Sequence, residues 1–139
     1  MNFDLTDEQK SIRDMVRSFT KEVITPKAEE IDRENRFPIE HISKMAELGL
    51  LGIAYPEEDG GVGADSISEA IAVEEITYGC TATGSILTAH YLGIDGLYLA
   101  ANPEQRKKYL VPGCQGENLF AFCLTEPNGG TDVASMKTT

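Results

Sequence analysis

The stretch that decides how this chain is interpreted is residues 119–132, which read LFAFCLTEPNGGTD. Its first six residues are apolar, and so short an apolar run between polar residues is typical of a buried β-strand rather than a helix. Pro127 ends the strand because it has no N–H to donate to a sheet. Gly129 and Gly130 then allow a tight turn. We therefore predict a strand followed by a glycine-rich turn.

The residues alone leave two interpretations of this turn open. Most Asn-Gly-Gly turns only join two strands, so a plain hairpin is the more common outcome. A turn with few side chains also leaves several backbone N–H groups accessible, and Thr131 adds a hydroxyl beside them. Such a turn suits a ligand that is anionic or rich in hydrogen-bond acceptors.

Before this stretch, the spacing of apolar residues predicts a bundle of amphipathic helices. Thr6 and Gln9 have the spacing of a capping box, and apolar residues at helical spacing follow as far as Val23. Pro26 is expected to interrupt this helix, and residues 27–33 to form a short continuation.

A second helix is predicted to begin at Pro38 and to end at Gly49. Two further long helices are predicted after it. Ser66 and Glu69 form another capping-box pattern, and the helix they open has apolar surface over much of its circumference, which favours the middle of a bundle. The helix that follows the turn at Tyr78-Gly79-Cys80-Thr81 is rich in small residues. Small residues allow either close helix packing or room for a ligand, and close packing is the more common reason.

The loop from Tyr55 to Gly63 contains Gly61-Val62-Gly63, which invites comparison with a dinucleotide-binding motif. No strand leads into it, and Ser66 stands where the last glycine of the motif belongs. We therefore interpret it as a structural loop whose glycines take unusual φ values.

Charge and cysteine content exclude several classes of protein. The 139 residues suffice for about one domain, and 23 acidic against 12 basic residues give a net charge of −11. This charge repels nucleic acid and anionic lipid surfaces, so neither is an expected partner. Three cysteines without Cys-x-x-Cys spacing predict reduced thiols. His41 and His90 each stand alone, so no metal site is expected.

The N-terminus has neither the pattern of a secretory signal nor that of a transit peptide. No apolar run approaches the ~20 residues that a membrane helix needs. We expect a soluble, cytoplasmic protein.

Several motifs in this order resemble those of the acyl-CoA dehydrogenase family. Residues 121–132 closely resemble its flavin-contact signature, in which a strand leads into Thr-Glu-Pro, a glycine-containing turn and Gly-Ser/Thr-Asp. Four further matches are the Leu-Thr-Asp-Glu-Gln start of the first helix, the Gly-Gly loop, the turn from Tyr78 to Thr81, and the segment from Pro103 to Leu110. The likeness is to short-chain, butyryl-CoA-dehydrogenase-like members.

The resemblance implies an all-α helical bundle of this family's N-terminal type over residues 1–117. Residues 118–139 would be the first strand and flavin-contact turn of a truncated middle β-domain. The implied reaction is α,β-dehydrogenation of a fatty acyl-CoA, with a hydride passing to N5 of FAD. Electron-transferring flavoprotein is the implied partner, and a homo-oligomer, a tetramer, is the implied state of the full-length protein.

The family signature also implies which residues contact the cofactor. Phe122, Leu124 and Thr125 would lie along the flavin, and Gly130 and Thr131 would meet its pyrophosphate. The backbone of Thr131 would also approach the pantetheine arm of CoA, which makes it a substrate-binding residue as well.

On the fourth long helix, Gly84 and Thr88 match residues at the base of the family's acyl pocket. Both are smaller than the Gln and Glu of some medium-chain members, but neighbouring side chains could refill the space, so the acyl chain length stays open. The family's catalytic glutamate lies in its C-terminal domain and matches no residue here. We therefore expect the 139 residues alone to lack dehydrogenase activity.

Two other interpretations compete with this one. The chain could be a stand-alone helical interaction module whose glycine turn binds no flavin. It could also belong to an acyl-CoA oxidase or another flavoenzyme of the same fold, because oxygen access is set largely by parts that these residues do not include.

Overall fold

The chain forms an all-α fold. The computed structural model describes residues 3–138. Its α-helical segments are α1 (Asp7–Phe19), α2 (Thr25–Glu34), α3 (Ile39–Glu47), α4 (Ser66–Gly79), α5 (Thr81–Ala100), α6 (Pro103–Gln105) and α7 (Val111–Cys114). Two π-helical turns, Thr20–Ile24 and Arg106–Leu110, join α1 to α2 and α6 to α7, and 3-10 turns occupy Leu50–Gly52, Glu57–Asp59 and Val133–Ser135. The described range contains no strand, so the predicted all-α class is confirmed.

The start of α1 is the predicted capping box. Gln9 N donates to Thr6 Oγ1 over 3.1 Å, and Thr6 N donates to Gln9 Oε1 over 2.9 Å. These bonds satisfy two backbone donors that an uncapped helix would leave without partners.

Pro26 does not interrupt the helix as expected. The chain passes through a π-helical turn at Thr20–Ile24 and continues directly into α2, with Pro26 in its first turn. Thr25 N donates to Thr20 O across this wider turn. Proline lacks an N–H and its ring clashes with the carbonyl four residues earlier in a regular helix. The wider turn lies just where that clash would otherwise occur, so the helix direction is kept.

Arg36 joins α2 to α3 across a sharp turn. Asn35 ends α2 in the left-handed conformation, with φ of 50°. The guanidinium of Arg36 then donates to Glu30 over 2.6 Å and to Glu40 over 2.7 Å. These contacts hold the pKa of the Glu40 carboxyl at about 2. One planar cation therefore ties both helices together.

The N-cap of α4 is Asp65 rather than the predicted Ser66. Asp65 Oδ1 accepts from Ser68 N over 2.8 Å, and its Oδ2 accepts from Gln9 Nε2 over 2.7 Å. Asp65 therefore caps α4 and also links it to α1.

The core forms around α4 and α5. α4 packs against both α1 and α5, which confirms the central position predicted from its broad apolar surface. Fully buried apolar side chains come from most elements: Val16, Ile24, Met45, Leu50, Leu51, Ile76, Leu87, Ile94 and Leu110. Each such side chain stabilises the fold by about 1.5–3 kcal/mol relative to leaving it exposed.

The loop from Tyr55 to Gly63 is structural, as interpreted from the sequence. Gly60 and Gly63 have φ of 82° and 77°, a region that favours glycine. A Cβ on Gly61 would lie 2.1 Å from the backbone oxygen of Tyr55. Tyr55 also donates its hydroxyl to Asp95 Oδ1 over 2.7 Å, which fastens the loop to α5.

Within residues 3–138, no helix combines the length and the apolar character needed to cross a bilayer.

Candidate functional site

The C-terminal segment begins on the surface of α5. Phe120 N donates to His90 Nδ1 over 3.2 Å, and the two rings lie 6.1 Å apart between centroids. Phe120 packs, partly buried, against the core. The segment that carries the candidate site is thus attached to the helical bundle at its first residues.

The buried strand expected at 119–124 is absent from the described residues. Phe122 is 54% exposed and Leu124 is 40% exposed, and residues 120–125 take part in no strand pairing. A strand needs a partner to satisfy its backbone groups, and the described chain supplies none. Two large apolar side chains therefore lie in solvent beside the glycine turn.

The predicted tight turn is present. Glu126 N donates to Gly129 O over 2.9 Å, and Gly129 N donates to Glu126 O over 3.2 Å. This antiparallel bridge closes the turn at Pro127-Asn128. A Cβ on Gly130 would lie 3.1 Å from Thr125 Oγ1, so the structure brings Thr125 and Gly130 side by side.

The turn presents backbone donors. In the described chain, the N–H groups of Asn128, Gly130 and Thr131 donate no hydrogen bond to another residue. Thr125 and Thr131 are both exposed and add two hydroxyls. N–H groups without partners in the described chain and exposed hydroxyls, close together in the sequence, suit phosphate oxygens or the acceptor edge of a ring, so the residues present fit the pyrophosphate and pyrimidine edge of FAD.

Sequence reasoning missed the role of Glu126. Its carboxylate accepts from Lys137 N and from Thr138 N, each over 2.9 Å. The Thr138 hydroxyl and these two amides hold the pKa of Glu126 below its ordinary value. The contact closes a loop around the glycine turn. No local sequence pattern predicts this contact of Glu126, because its partners are backbone amides 11 and 12 residues away.

The two predicted acyl-pocket residues lie elsewhere, on α5. Gly84 is buried against Thr77 of α4. Thr88 is exposed, and its Oγ1 donates to Gly84 O over 3.0 Å. Among residues 3–138, no hydrogen bond joins this pair to residues 122–131. The structure therefore shows two separate groups of predicted site residues, and their joint use in one site stays a prediction.

A family model settles the relationship of the chain. The model of the acyl-CoA dehydrogenase N-terminal domain matches residues 6–117. The chain belongs to the acyl-CoA dehydrogenase family. A probable acyl-CoA dehydrogenase of Bacillus subtilis is 47% identical over 139 residues, which cover 99% of this chain and 37% of that protein. The chain thus spans little more than a third of the length of this relative.

Solved structures of acyl-CoA dehydrogenases share the fold. Butyryl-CoA dehydrogenase from Megasphaera elsdenii superimposes with a TM-score of 0.88 at 32% identity, over 99% of this chain and 37% of that one. Acyl-CoA dehydrogenase of Bacillus anthracis, solved in complex with FAD, superimposes with a TM-score of 0.82 at 34% identity, over 96% of this chain and 23% of that one.

Proposed function

We propose that this chain is the N-terminal part of a flavin-dependent acyl-CoA dehydrogenase that oxidises the α,β C–C bond of a fatty acyl-CoA thioester. The observation that carries the proposal is the glycine turn, which offers three N–H groups that are unpaired within residues 3–138, next to two threonine hydroxyls. The same residues carry the family signature. Family membership and the FAD complex of the Bacillus anthracis relative support FAD as the cofactor.

FAD, when bound, supplies the acceptor for the hydride. The exposed side chains of Phe122 and Leu124 would cover the flat face of its ring and exclude water from it. Thr125, by its hydroxyl and backbone N–H, would donate to the pyrimidine edge, where donors favour the negative charge of the reduced ring. The unpaired N–H groups of Gly130 and Thr131 would orient the pyrophosphate.

Thr131 and two residues of α5 would contact the substrate. The backbone of Thr131 would meet the pantetheine arm. Gly84 and Thr88 would lie at the base of the acyl pocket. Gly84 packs against Thr77 and has no room for a side chain. Any narrowing of the acyl pocket at its base would therefore come from the side chain of Thr88, one turn further along α5.

The 139 residues alone would not turn over substrate, because none of them matches the family's catalytic glutamate. Electron-transferring flavoprotein would reoxidise the flavin, and the active assembly would be a homotetramer.

A hybrid protein tests this proposal. Residues 1–139 of this chain replace the aligned part of butyryl-CoA dehydrogenase from Megasphaera elsdenii, and the purified hybrid is examined for flavin absorption and for dye reduction that depends on butyryl-CoA. We expect bound flavin and turnover, with none from the 139-residue chain under the same conditions. The unmodified relative is the positive control. A folded hybrid without flavin would refute the assignment of the glycine turn.

A further inference from the structure

One partly buried hydrogen bond fixes the start of the C-terminal segment. His90 is 1% exposed, and its Nδ1 accepts from Phe120 N over 3.2 Å. Burial lowers the pKa of His90, so the ring is neutral near neutral pH and Nδ1 has a lone pair for this bond. The neutral ring that the contact requires is therefore the charge state that burial favours, and the contact itself needs the tautomer with its proton on Nε2.

Burying a histidine at position 90 costs more free energy than burying an apolar side chain would. Its Nε2 is buried and makes no hydrogen bond of normal geometry within the described chain. The backbone at Gly113 and Leu51 interacts with the ring, but an apolar ring of similar size would fill the same space without burying a polar atom that lacks a hydrogen bond of normal geometry. What histidine adds at position 90 is the acceptor for the Phe120 amide.

Two glycines, Gly93 of α5 and Gly113 of α7, let the segment approach the helical bundle closely. A Cβ on Gly93 would lie 2.6 Å from Phe120 Cβ and 2.9 Å from Ala121 N. A Cβ on Gly113 would lie 3.0 Å from the Phe120 ring. We call Phe120 with His90, Gly93 and Gly113 the Phe120 anchor.

We propose that His90, acting with Gly93, is a positioning residue that sets the register of residues 121–131 against α5. The inference rests on the proposed function, since those residues contain the flavin contacts. A shift of one residue would move the donor by about 3.3 Å and place Ala121 or Leu119 in the anchor, and Ala121 is too small to fill it. At about 3.5 Å per residue, Phe122 and Thr125 lie within roughly 7 and 18 Å of Phe120, so a register error would displace both.

Amide exchange in the 139-residue chain tests the contact. His90→Phe keeps a ring but removes the acceptor, whereas His90→Asn keeps an oxygen acceptor near the position of Nδ1. His41→Phe is the matched control, because His41 is also fully buried and is bonded through Nδ1, to Thr83 Oγ1 over 2.9 Å.

Exchange of the Phe120 amide should become about five-fold faster or more in His90→Phe. It should return toward the original rate in His90→Asn and stay unchanged in His41→Phe. An unchanged rate in His90→Phe would overturn the proposal. If that variant does not fold, Gly93→Ala takes its place, because the added Cβ displaces the backbone at Phe120 and leaves His90 intact. An unchanged rate there would count equally against it.

The flavin provides a readout that packing alone would not move. In the hybrid protein, His90→Phe should shift the visible flavin band and raise the FAD concentration for half-loading about five-fold or more, and His90→Asn should reverse both. His41→Phe should change neither. Normal loading and an unshifted band in His90→Phe would refute the positioning role. A parent hybrid that binds no flavin would refute the proposed function instead, and amide exchange would then decide the register on its own.

Discussion

Gly84 of α5 lies so close to Thr77 of α4 that a Cβ on Gly84 would come within 2.1 Å of Thr77 Oγ1 and 2.9 Å of its Cα. The second contact is with the backbone, which a side-chain rotation cannot relieve. The small residue at position 84 is therefore needed for the packing of α4 on α5, whatever its part in an acyl pocket.

Gly84→Ala should lower the free energy of unfolding by about 1–3 kcal/mol, the usual effect of overpacking. Gly96→Ala is the matched control in the same helix, because no atom lies within 4 Å of a Cβ placed there. That change should instead stabilise the chain by about 0.5–1 kcal/mol, since alanine is the better helix former. Urea denaturation of both variants measures the difference, and equal effects would contradict the close approach.

The N-cap of α4 gives a second test. Asp65→Ala should lower the melting temperature, because it removes the acceptor for Ser68 N and the link to Gln9. Ser66→Ala should leave the melting temperature nearly unchanged, since Ser66 lies inside the helix at its first position and is exposed. Thermal unfolding followed by circular dichroism compares the two. A larger loss in Ser66→Ala would show that the sequence-based choice of cap was correct after all.

These examples show what local sequence could and could not decide. The Thr6 capping box and the end of α3 just before Gly49 were predictable because each depends on residues a few positions apart. Asp65 and Ser66 are adjacent, and both are residue types that commonly cap a helix. Asp65 is the residue that caps α4, and it also accepts a hydrogen bond from Gln9, which lies 56 residues away in the sequence. The π-helical turn before Pro26 could not be predicted either, because no residue pattern indicates such a turn.

In the candidate site, too, local features could be predicted from the sequence and contacts between distant residues could not. The tight turn at 126–129 was predictable from Pro127 and its glycines. The absence of the expected strand before it was not predictable, because a strand depends on a pairing partner that the described residues do not contain. The bond between His90 and Phe120 spans 30 residues, and its only sequence signal is a lone histidine, which more often simply packs.

Two buried histidines make the stability of the chain depend on pH. Burial lowers the pKa of His41 and His90 below the ordinary 6.5. As the pH falls below about 6.5, the histidines of the unfolded chain take up protons, whereas those of the folded chain stay neutral until the pH reaches their lowered pKa values. The contribution of the two histidines to the free energy of unfolding is therefore full above about pH 6.5 and is lost as the pH falls toward those lowered values. Glu69, whose pKa burial raises, acts in the opposite sense.

The melting temperature should therefore be lower at about pH 5.5 than at about pH 7.5. The double variant His41→Phe, His90→Phe should lose much of this dependence, because no buried imidazole is left to titrate. Differential scanning calorimetry at both pH values measures the effect. A melting temperature of the parent chain that rises on acidification would mean that the carboxyl groups dominate this range.

Glu126 should hold the end of the chain beside the glycine turn. Its carboxylate accepts from the Thr138 hydroxyl, from Lys137 N and from Thr138 N, and these contacts lower its folded pKa below 4.5. Their stabilisation is therefore present above about pH 4.5 and is lost as the pH falls through the lowered value. Glu126→Gln, which removes the charge, should speed exchange of the Lys137 and Thr138 amides at neutral pH, since charged acceptors make the stronger hydrogen bonds.

The exchange of the Phe120 amide separates this contact from the Phe120 anchor. Phe120 is held by α5 and not by Glu126, so its exchange rate should be the same in Glu126→Gln as in the parent chain. Glu117→Gln is the control, because Glu117 is exposed and its side chain makes no hydrogen bond or ion pair recorded within residues 3–138. Faster exchange at Phe120 in Glu126→Gln would show that the segment opens as one unit. Fast exchange confined to Lys137 and Thr138 would show two independent attachments, one at each end of the flavin-contact residues.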